Sequence, residues 1–199
     1  MYDWRRMSEE ERRELLASRR QLELPQHGPA HRASYGQGQW LFTAACFEHQ
    51  SCIGKGARRM EEFERELVKT ASECCEEVIA WVILPNHYHF LAQAADVQAV
   101  VSALGLLHGR TAFQWNGEDD ERGRKVWFRC AETFMKSDAH FWATLNYIHH
   151  NPVKHGYVKT WSDWPYSSAV KYLEGVGREH PEKVWRNYPI KEYGAGWDD

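Results

Sequence analysis

Two short segments of this chain carry residue types that can do chemistry together. The first is Ile83-Leu-Pro-Asn-His-Tyr-His-Phe-Leu91, in which His87 and His89 are separated by one residue. On a strand, side chains at i and i+2 share a face, about 7 Å apart along the chain. Both imidazoles then point one way, and Tyr88 and Phe90 enter the core on the other. Two imidazoles held side by side on a rigid strand are a natural pair of metal ligands. An isolated His-x-His is more often no more than polar strand surface, so the pair gains meaning only from its company.

That company is the segment Asn146-Tyr-Ile-His-His-Asn-Pro-Val-Lys-His-Gly-Tyr-Val158. A helix starting near Asp138 sets Phe141, Leu145 and Ile148 at i, i+4 and i+7, facing a sheet, with His140, Thr144, Tyr147 and Asn151 as a separate polar stripe. Tyr147 and Asn151 then stack one turn apart, about 6 Å along the axis. Because Asn151 precedes Pro152, the helix is predicted to end there with the carboxamide turned outward. Taken alone, this is a tyrosine at a helix rim with an asparagine as C-terminal cap.

Taken together, His87, His89 and Asn151 make a mixed nitrogen and oxygen set with open positions. Such a set suits a catalytic divalent ion, Mg²⁺ or Mn²⁺, better than a closed Cys-rich zinc site. His150, the neighbour of Asn151, is an alternative ligand. An ion of this kind polarises a phosphate oxygen and offsets charge in the transition state. A tyrosine hydroxyl, with an ordinary pKa of about 10, is a poor nucleophile in water. Aligned in line with a bound phosphate, Tyr147 becomes an effective one and yields a phosphotyrosine. The energy of the broken phosphodiester is kept, so rejoining needs no nucleotide cofactor, and the chain has no Walker loop or dinucleotide fingerprint.

The elements that must position these groups are legible in outline. Gln39 to His49 suits a first strand, and Met60, Phe63, Leu67 and Ala71 mark an amphipathic helix from Ala57 to about Glu73. Val78 to Leu84 and His87 to Gln93 form a hairpin about Pro85-Asn86. Val97 to about Trp115 is a second helix, Val126 to Phe134 another strand, and Ser137 or Asp138 caps the helix that runs to about His150. The order β, α, β, β, α, β, α predicts an α+β sandwich of helices on a small antiparallel sheet. The folded body spans about 39–172. Before it, residues 1–38 hold a charged helix, opened by the capping box Ser8 and Glu11, and a Pro- and Gly-containing linker. After it, residues 173–199 form a tail of little periodicity, expected to drape over the body.

Composition excludes several classes. With 199 residues, 43% hydrophobic, 27% charged and 14% aromatic, the chain is neither disordered nor low in complexity. No apolar run approaches the roughly 20 residues of a membrane span, and no secretory signal is visible. Five cysteines without a C-x-x-C pair indicate neither a disulfide framework nor structural zinc, so a reducing cytoplasm is expected. The 25 basic against 28 acidic residues, net −3, argue against non-specific duplex binding, so any DNA contact must rest on local chemistry.

Pro85-Asn86-His87-Tyr88-His89 resembles the His-hydrophobe-His motif of the HUH single-strand nucleases. Tyr147-Ile-His-His-Asn-Pro-Val-Lys-His-Gly-Tyr-Val158 closely resembles the tyrosine helix of the REP-associated tyrosine transposases, relatives of the single-tyrosine insertion-sequence transposases. Val126-Trp-Phe-Arg129 and Asp163-Trp-Pro-Tyr-Ser-Ser168 match as well, in order and spacing, from about Gln39 to Tyr172. The resemblance implies a ferredoxin-like or RRM-like fold, with His87, His89 and Asn151 as metal ligands and Tyr147 as nucleophile. It also implies cleavage and transfer of single-stranded DNA beside imperfect palindromic hairpins, leaving a 5′-phosphotyrosine and a free 3′-hydroxyl. The implied setting is the bacterial cytoplasm, at the nucleoid, as a monomer or homodimer.

Candidate DNA contacts are Lys55, Arg58 and Arg59, at a Gly-rich loop entering a helix N-terminus. A second strip is Arg110, Arg122, Arg124, Lys125 and Arg129, with Trp115 and Trp127 as stacking faces. Solvated surface charge is an equal reading of each. Two competing functions stay open: a catalytically silent module that binds hairpin DNA or RNA, and a replication or plasmid-transfer initiator. The order of His pair then tyrosine favours the transposase. The end of the chain, Ile190 to Asp199, is a candidate cover for the active face.

Overall fold

Large apolar side chains on both faces of one strand make it the centre of a sheet. In β1 (Gly38–Ala45), Trp40, Phe42 and Ala44 point to one side and Leu41 and Ala45 to the other, all buried. In this computed structural model residues 37–191 are described, together with Tyr193, Gly194, Ser8 to Glu10, Arg13, Glu14 and Ala17. The helix expected at the N-terminus falls largely outside the described residues.

Strands β2 (Glu77–Ile83), β3 (His87–Ala94) and β4 (Ala131–Phe134) complete a four-stranded antiparallel sheet in the order β2-β3-β1-β4. Helices α1 (Ala57–Cys74) and α2 (Val97–Glu118) cover the face that carries Trp40, Phe42, Tyr88 and Phe90. Phe63 of α1 sits at the heart of this layer against Tyr88, Trp115 and Trp127. Burying a ring of that size contributes about 1.5–3 kcal/mol. Helix α3 (Asp138–Lys154) covers the opposite face, where Leu145 and Ile148 pack on Leu41, Val82 and Leu91. The expected α+β class is observed, and the strand order and connections are those of a ferredoxin-like sandwich.

The hairpin joining β2 to β3 is locked from outside. Gly54 donates to the Pro85 carbonyl at 2.9 Å and approaches so closely that a Cβ there would lie 2.9 Å from Pro85 Cα. Only glycine permits that approach.

Three expectations are corrected. The strand predicted over Val126 to Phe134 is broken: Trp127 bridges to Cys46, while β4 pairs from Ala131 with Thr43. Trp127 to Ala131 is four steps against three from Thr43 to Cys46, so one extra residue bulges out. Helix α3 does not stop before Pro152 but runs through it to Lys154, and Tyr157 N–H closes the end on the Pro152 carbonyl at 2.9 Å. Pro152 is itself buried, and that packing offsets the backbone bond that proline cannot make. The tail is not aperiodic: α4 (Ala169–Val176) crosses position 172, and α5 (Glu179–Asn187) packs against α3 through buried Val184.

Candidate active site

Strand β3 lies between β1 and β2, so a residue on its α3-facing side is walled in by both neighbours. His87 and His89 occupy that side, 1% and 0% exposed, with ring centroids 5.1 Å apart. A hydrogen-bond partner fixes each ring. Thr43, directly opposite on β1, holds His89 Nδ1 at 2.8 Å through its hydroxyl. Asn86 presents its Oδ1 to His87 Nδ1 at 2.8 Å. The Asn86 amide is oriented by donating to the His49 carbonyl at 3.3 Å, in a turn where Glu48 and His49 both take positive φ, 55° and 53°. Two adjacent non-glycine residues in that region are costly and mark a turn held by its surroundings.

Helix α3 brings the second half of the site. Ser137 caps its start by accepting from the His140 N–H at 3.2 Å. With Leu145 and Ile148 turned into the core, the stripe Thr144, Tyr147 and Asn151 is carried over the imidazoles. It was expected as a polar stripe with its carboxamide turned out; instead all three side chains are buried. Asn151 Oδ1 stands 3.0 Å from His87 Nε2, and the Tyr147 ring meets His89 edge to face at 5.2 Å.

The donor set passes a chemical test for a divalent ion. A neutral imidazole has one N–H, and the Asn86 oxygen requires it at His87 Nδ1. With that proton on Nδ1, the lone pair of His87 Nε2 lies on the Asn151 side, where nitrogen and oxygen approach to 3.0 Å and together offer two donor atoms to a cation. The partners at Nδ1 supply the outer support usual for ligating histidines. Among the described residues no group of three or more His, Cys, Asp and Glu is arranged to hold a metal ion, here or elsewhere, so a site at His87 and His89 depends on the Asn151 oxygen.

His155 is a neighbour that sequence reasoning missed, its ring 5.0 Å from that of His87. Its signal was the four-residue step from Asn151, obscured by ending the helix at Pro152. His150 points away, against Trp185 at 4.9 Å. His149 is buried behind the helix, bonded at 2.9 Å to the Ser168 hydroxyl, and burial pushes its pKa down to about 3.

Tyr147 is 0% exposed, and part of what covers it is the end of the chain. Gly194 packs on its ring, and Tyr193 meets it edge to face at 5.7 Å. The Tyr193 hydroxyl pairs with Thr144 at 2.6 Å and His140 at 3.0 Å, while Lys154 donates to the Gly194 carbonyl at 3.0 Å.

Most of the candidate DNA-contact residues are engaged in contacts of their own. Lys55, Arg59 and Arg124 converge on Asp119 at 3.0, 2.8 and 2.7 Å. The Arg59 guanidinium, with Arg124 and Lys55, holds that carboxyl far below the usual carboxylate range. Arg58 pairs with Glu62 and Arg110 with Glu66, both at the surface. Lys125 lies 4.4 Å over the Phe47 ring, and Arg129 is exposed. Trp115 and Trp127 are core residues. No described helix is long and apolar enough to cross a membrane.

No protein-family model matches the chain. It is 32% identical over 146 residues to a putative REP-associated tyrosine transposase of Haemophilus influenzae, covering 68% of this chain and 81% of that protein. It is 27% identical over 149 residues to the REP-associated tyrosine transposase of Escherichia coli, covering 66% and 76% respectively. A solved structure of a REP-associated tyrosine transposase bound to a REP hairpin shares the fold, with a TM-score of 0.55 at 22% identity over 82% of this chain and 90% of that one. With relatives of that kind, the chain is an enzyme that acts on DNA through a tyrosine nucleophile, a DNA transposase. It belongs to the REP-associated tyrosine transposases.

Proposed function

We propose that the protein cleaves and transfers single-stranded DNA at palindromic hairpins of the REP type, with Tyr147 as nucleophile. The observation that carries this reading is the convergence, within one chain, of the Tyr147 ring on His89 and of Asn151 on His87. His87, His89 and Asn151 would hold a divalent ion, Mg²⁺ or Mn²⁺. When bound, such an ion supplies Lewis acidity to a phosphodiester and offsets its developing charge.

The protein's own residues do the rest. The Tyr147 oxygen forms a bond to phosphorus as the bond from phosphorus to the 3′ oxygen breaks. The electron pair leaves with that oxygen, which takes up a proton, and the phenol gives up its own. The products are a 5′-phosphotyrosine and a 3′-hydroxyl, and reversal on another 3′-hydroxyl completes transfer. Leu145 and Ile148 anchor the helix so that the phenol is held beside the imidazoles rather than sampling solvent. Because the tyrosine and the histidines meet inside one chain, the geometry supports cleavage by a monomer. Tyr193 and Gly194 must leave before DNA can reach Tyr147, which makes the tail a cover of the active face. The nucleophile and the candidate metal ligands all fall within residues 39–172, with the cover supplied from beyond them, and the setting the reading fits is the bacterial cytoplasm.

The test is incubation with single-stranded palindromic oligonucleotides in Mn²⁺, followed by denaturing electrophoresis. Wild-type protein should form a covalent adduct and Tyr147→Phe none, with DNA binding retained. An adduct from Tyr147→Phe would refute the nucleophile assignment. Binding by the wild type without any adduct would leave a silent hairpin-binding module.

A further inference from the structure

We propose that Lys154 is a catalytic residue: its ammonium, which here holds the Gly194 carbonyl, binds a non-bridging oxygen of the scissile phosphate once the tail has left. The assignment rests on Tyr147 being the nucleophile and adds the cation that meets the phosphate from the helix.

Lys154 follows Tyr147 by seven residues, two helical turns, which places both on one face of α3. Its Nζ lies 5.2 Å from the centroid of the Tyr147 ring. The same Nζ donates to the Gly194 carbonyl at 3.0 Å. Gly194 in turn lies against the Cδ2–Cε2–Cζ edge of the ring, which a Cβ at that position would overlap. The lysine and the carbonyl it holds thus lie together against the Tyr147 ring, and it is there that the proposal seats a phosphoryl oxygen during in-line attack. Both oxygens are acceptors, and the anionic one is the stronger partner for an ammonium.

The chemistry calls for a cation at this point. Attack on phosphorus spreads negative charge over the non-bridging oxygens, and a positioned positive group stabilises that charge more than it stabilises the bound substrate. Lysine suits the exchange better than arginine, since a point charge on a flexible stem can pass from one acceptor to another. Lys154 is exposed, so its stem has room to make that move.

A latch and a phosphate ligand predict opposite signs. If Lys154 only fastened the tail, its removal would uncover Tyr147 and speed adduct formation. If it binds the phosphate, removal slows adduct formation even though the tail is loosened.

The experiment uses the full chain, a single-stranded palindromic oligonucleotide and Mn²⁺, with adduct formation followed in a single turnover. Lys154→Gln should slow adduct formation about 100-fold with little change in affinity for the oligonucleotide. Lys154→Arg, which keeps the charge, should be about tenfold faster than Lys154→Gln. Thermal denaturation of both variants establishes that they are folded. A Lys154→Gln rate equal to or above the wild type overturns the proposal, as does Lys154→Arg no faster than Lys154→Gln in folded protein. Tyr147→Phe separates the two readings. An adduct from that variant, or none from the wild type, removes the nucleophile assignment. Its absence there with an undiminished Lys154→Gln rate removes only the lysine.

Discussion

Gly194 lies against the phenol ring of Tyr147 so closely that a Cβ at that position would overlap Cε2 and Cζ. Its φ of 75° belongs to the region that side-chain-bearing residues rarely adopt. Two constraints thus select glycine at the point where the chain's last described residues meet Tyr147, and neither is satisfied by alanine.

Gly194→Ala should therefore displace the tail and raise the rate of adduct formation while leaving every residue placed in the chemistry unsubstituted. Denaturing gels in Mn²⁺ measure it directly. An unchanged rate in Gly194→Ala, together with an unchanged rate after truncation before Tyr193, would show that the cover does not limit access.

Ion binding should register as stability. At a divalent-ion concentration about 100-fold above Kd, the folded state gains about 2.7 kcal/mol, which for a chain of this size shifts Tm by roughly 5–10 °C. The shift should appear with Mn²⁺ in the wild type and vanish in the double variant His87→Ala and His89→Ala. A shift of the same size in that double variant would place the ion elsewhere.

Stability should also fall in mild acid because of His108. Burial pushes its pKa down to about 4, and its Nε2 pairs with the Tyr88 hydroxyl at 2.9 Å inside the core, where a charged ring would be stranded. Its folded pKa lies below the unfolded value, so the unfolded chain binds the extra proton. The penalty begins near the unfolded value, about pH 6.5, and grows until the folded group titrates near pH 4. Over that window His108 costs about 1.4 kcal/mol per pH unit. Urea unfolding at stepped pH should show a shallower decline for His108→Gln, and identical slopes would discard the account.

The basic residues around Asp119 should divide by role. Arg59→Ala and Arg124→Ala leave a buried carboxylate short of partners and should lower Tm. Arg129→Ala, at an exposed position, should leave Tm unchanged and, if it meets DNA, reduce the salt dependence of binding by about one phosphate contact. Melting curves and binding isotherms across a salt series distinguish the two behaviours.

Much of the architecture could be read from periodicity. The two-residue period sent His87 and His89 to one face and Tyr88 and Phe90 to the other, and the helical period turned Leu145 and Ile148 to the sheet. These patterns survive because both faces of the sheet are buried and a one-residue slip would invert them. What escaped was tertiary. Pro152 reads as a stop, yet its burial carries the helix onward and brings His155 to the site. Helices α4 and α5 are short and interrupted by Gly175, Gly177 and Pro181, so no long repeat announces them. Nothing in the spacing of Lys55, Arg59 and Arg124 reveals that one aspartate, far along the chain from the first two, gathers all three.

The serine at position 168 rivets the back of the tyrosine-bearing helix. Its hydroxyl accepts from the Trp81 N–H of β2 at 2.9 Å while engaging His149 at 2.9 Å, and Asn146 adds a bond to the Tyr188 carbonyl at 2.8 Å. A helix riveted on one side and seated in the core on the other has no hinge on which to carry its phenol outward. On the proposed reading, traffic between two broken ends then falls to the nucleic acid, with each new end ferried to a stationary residue.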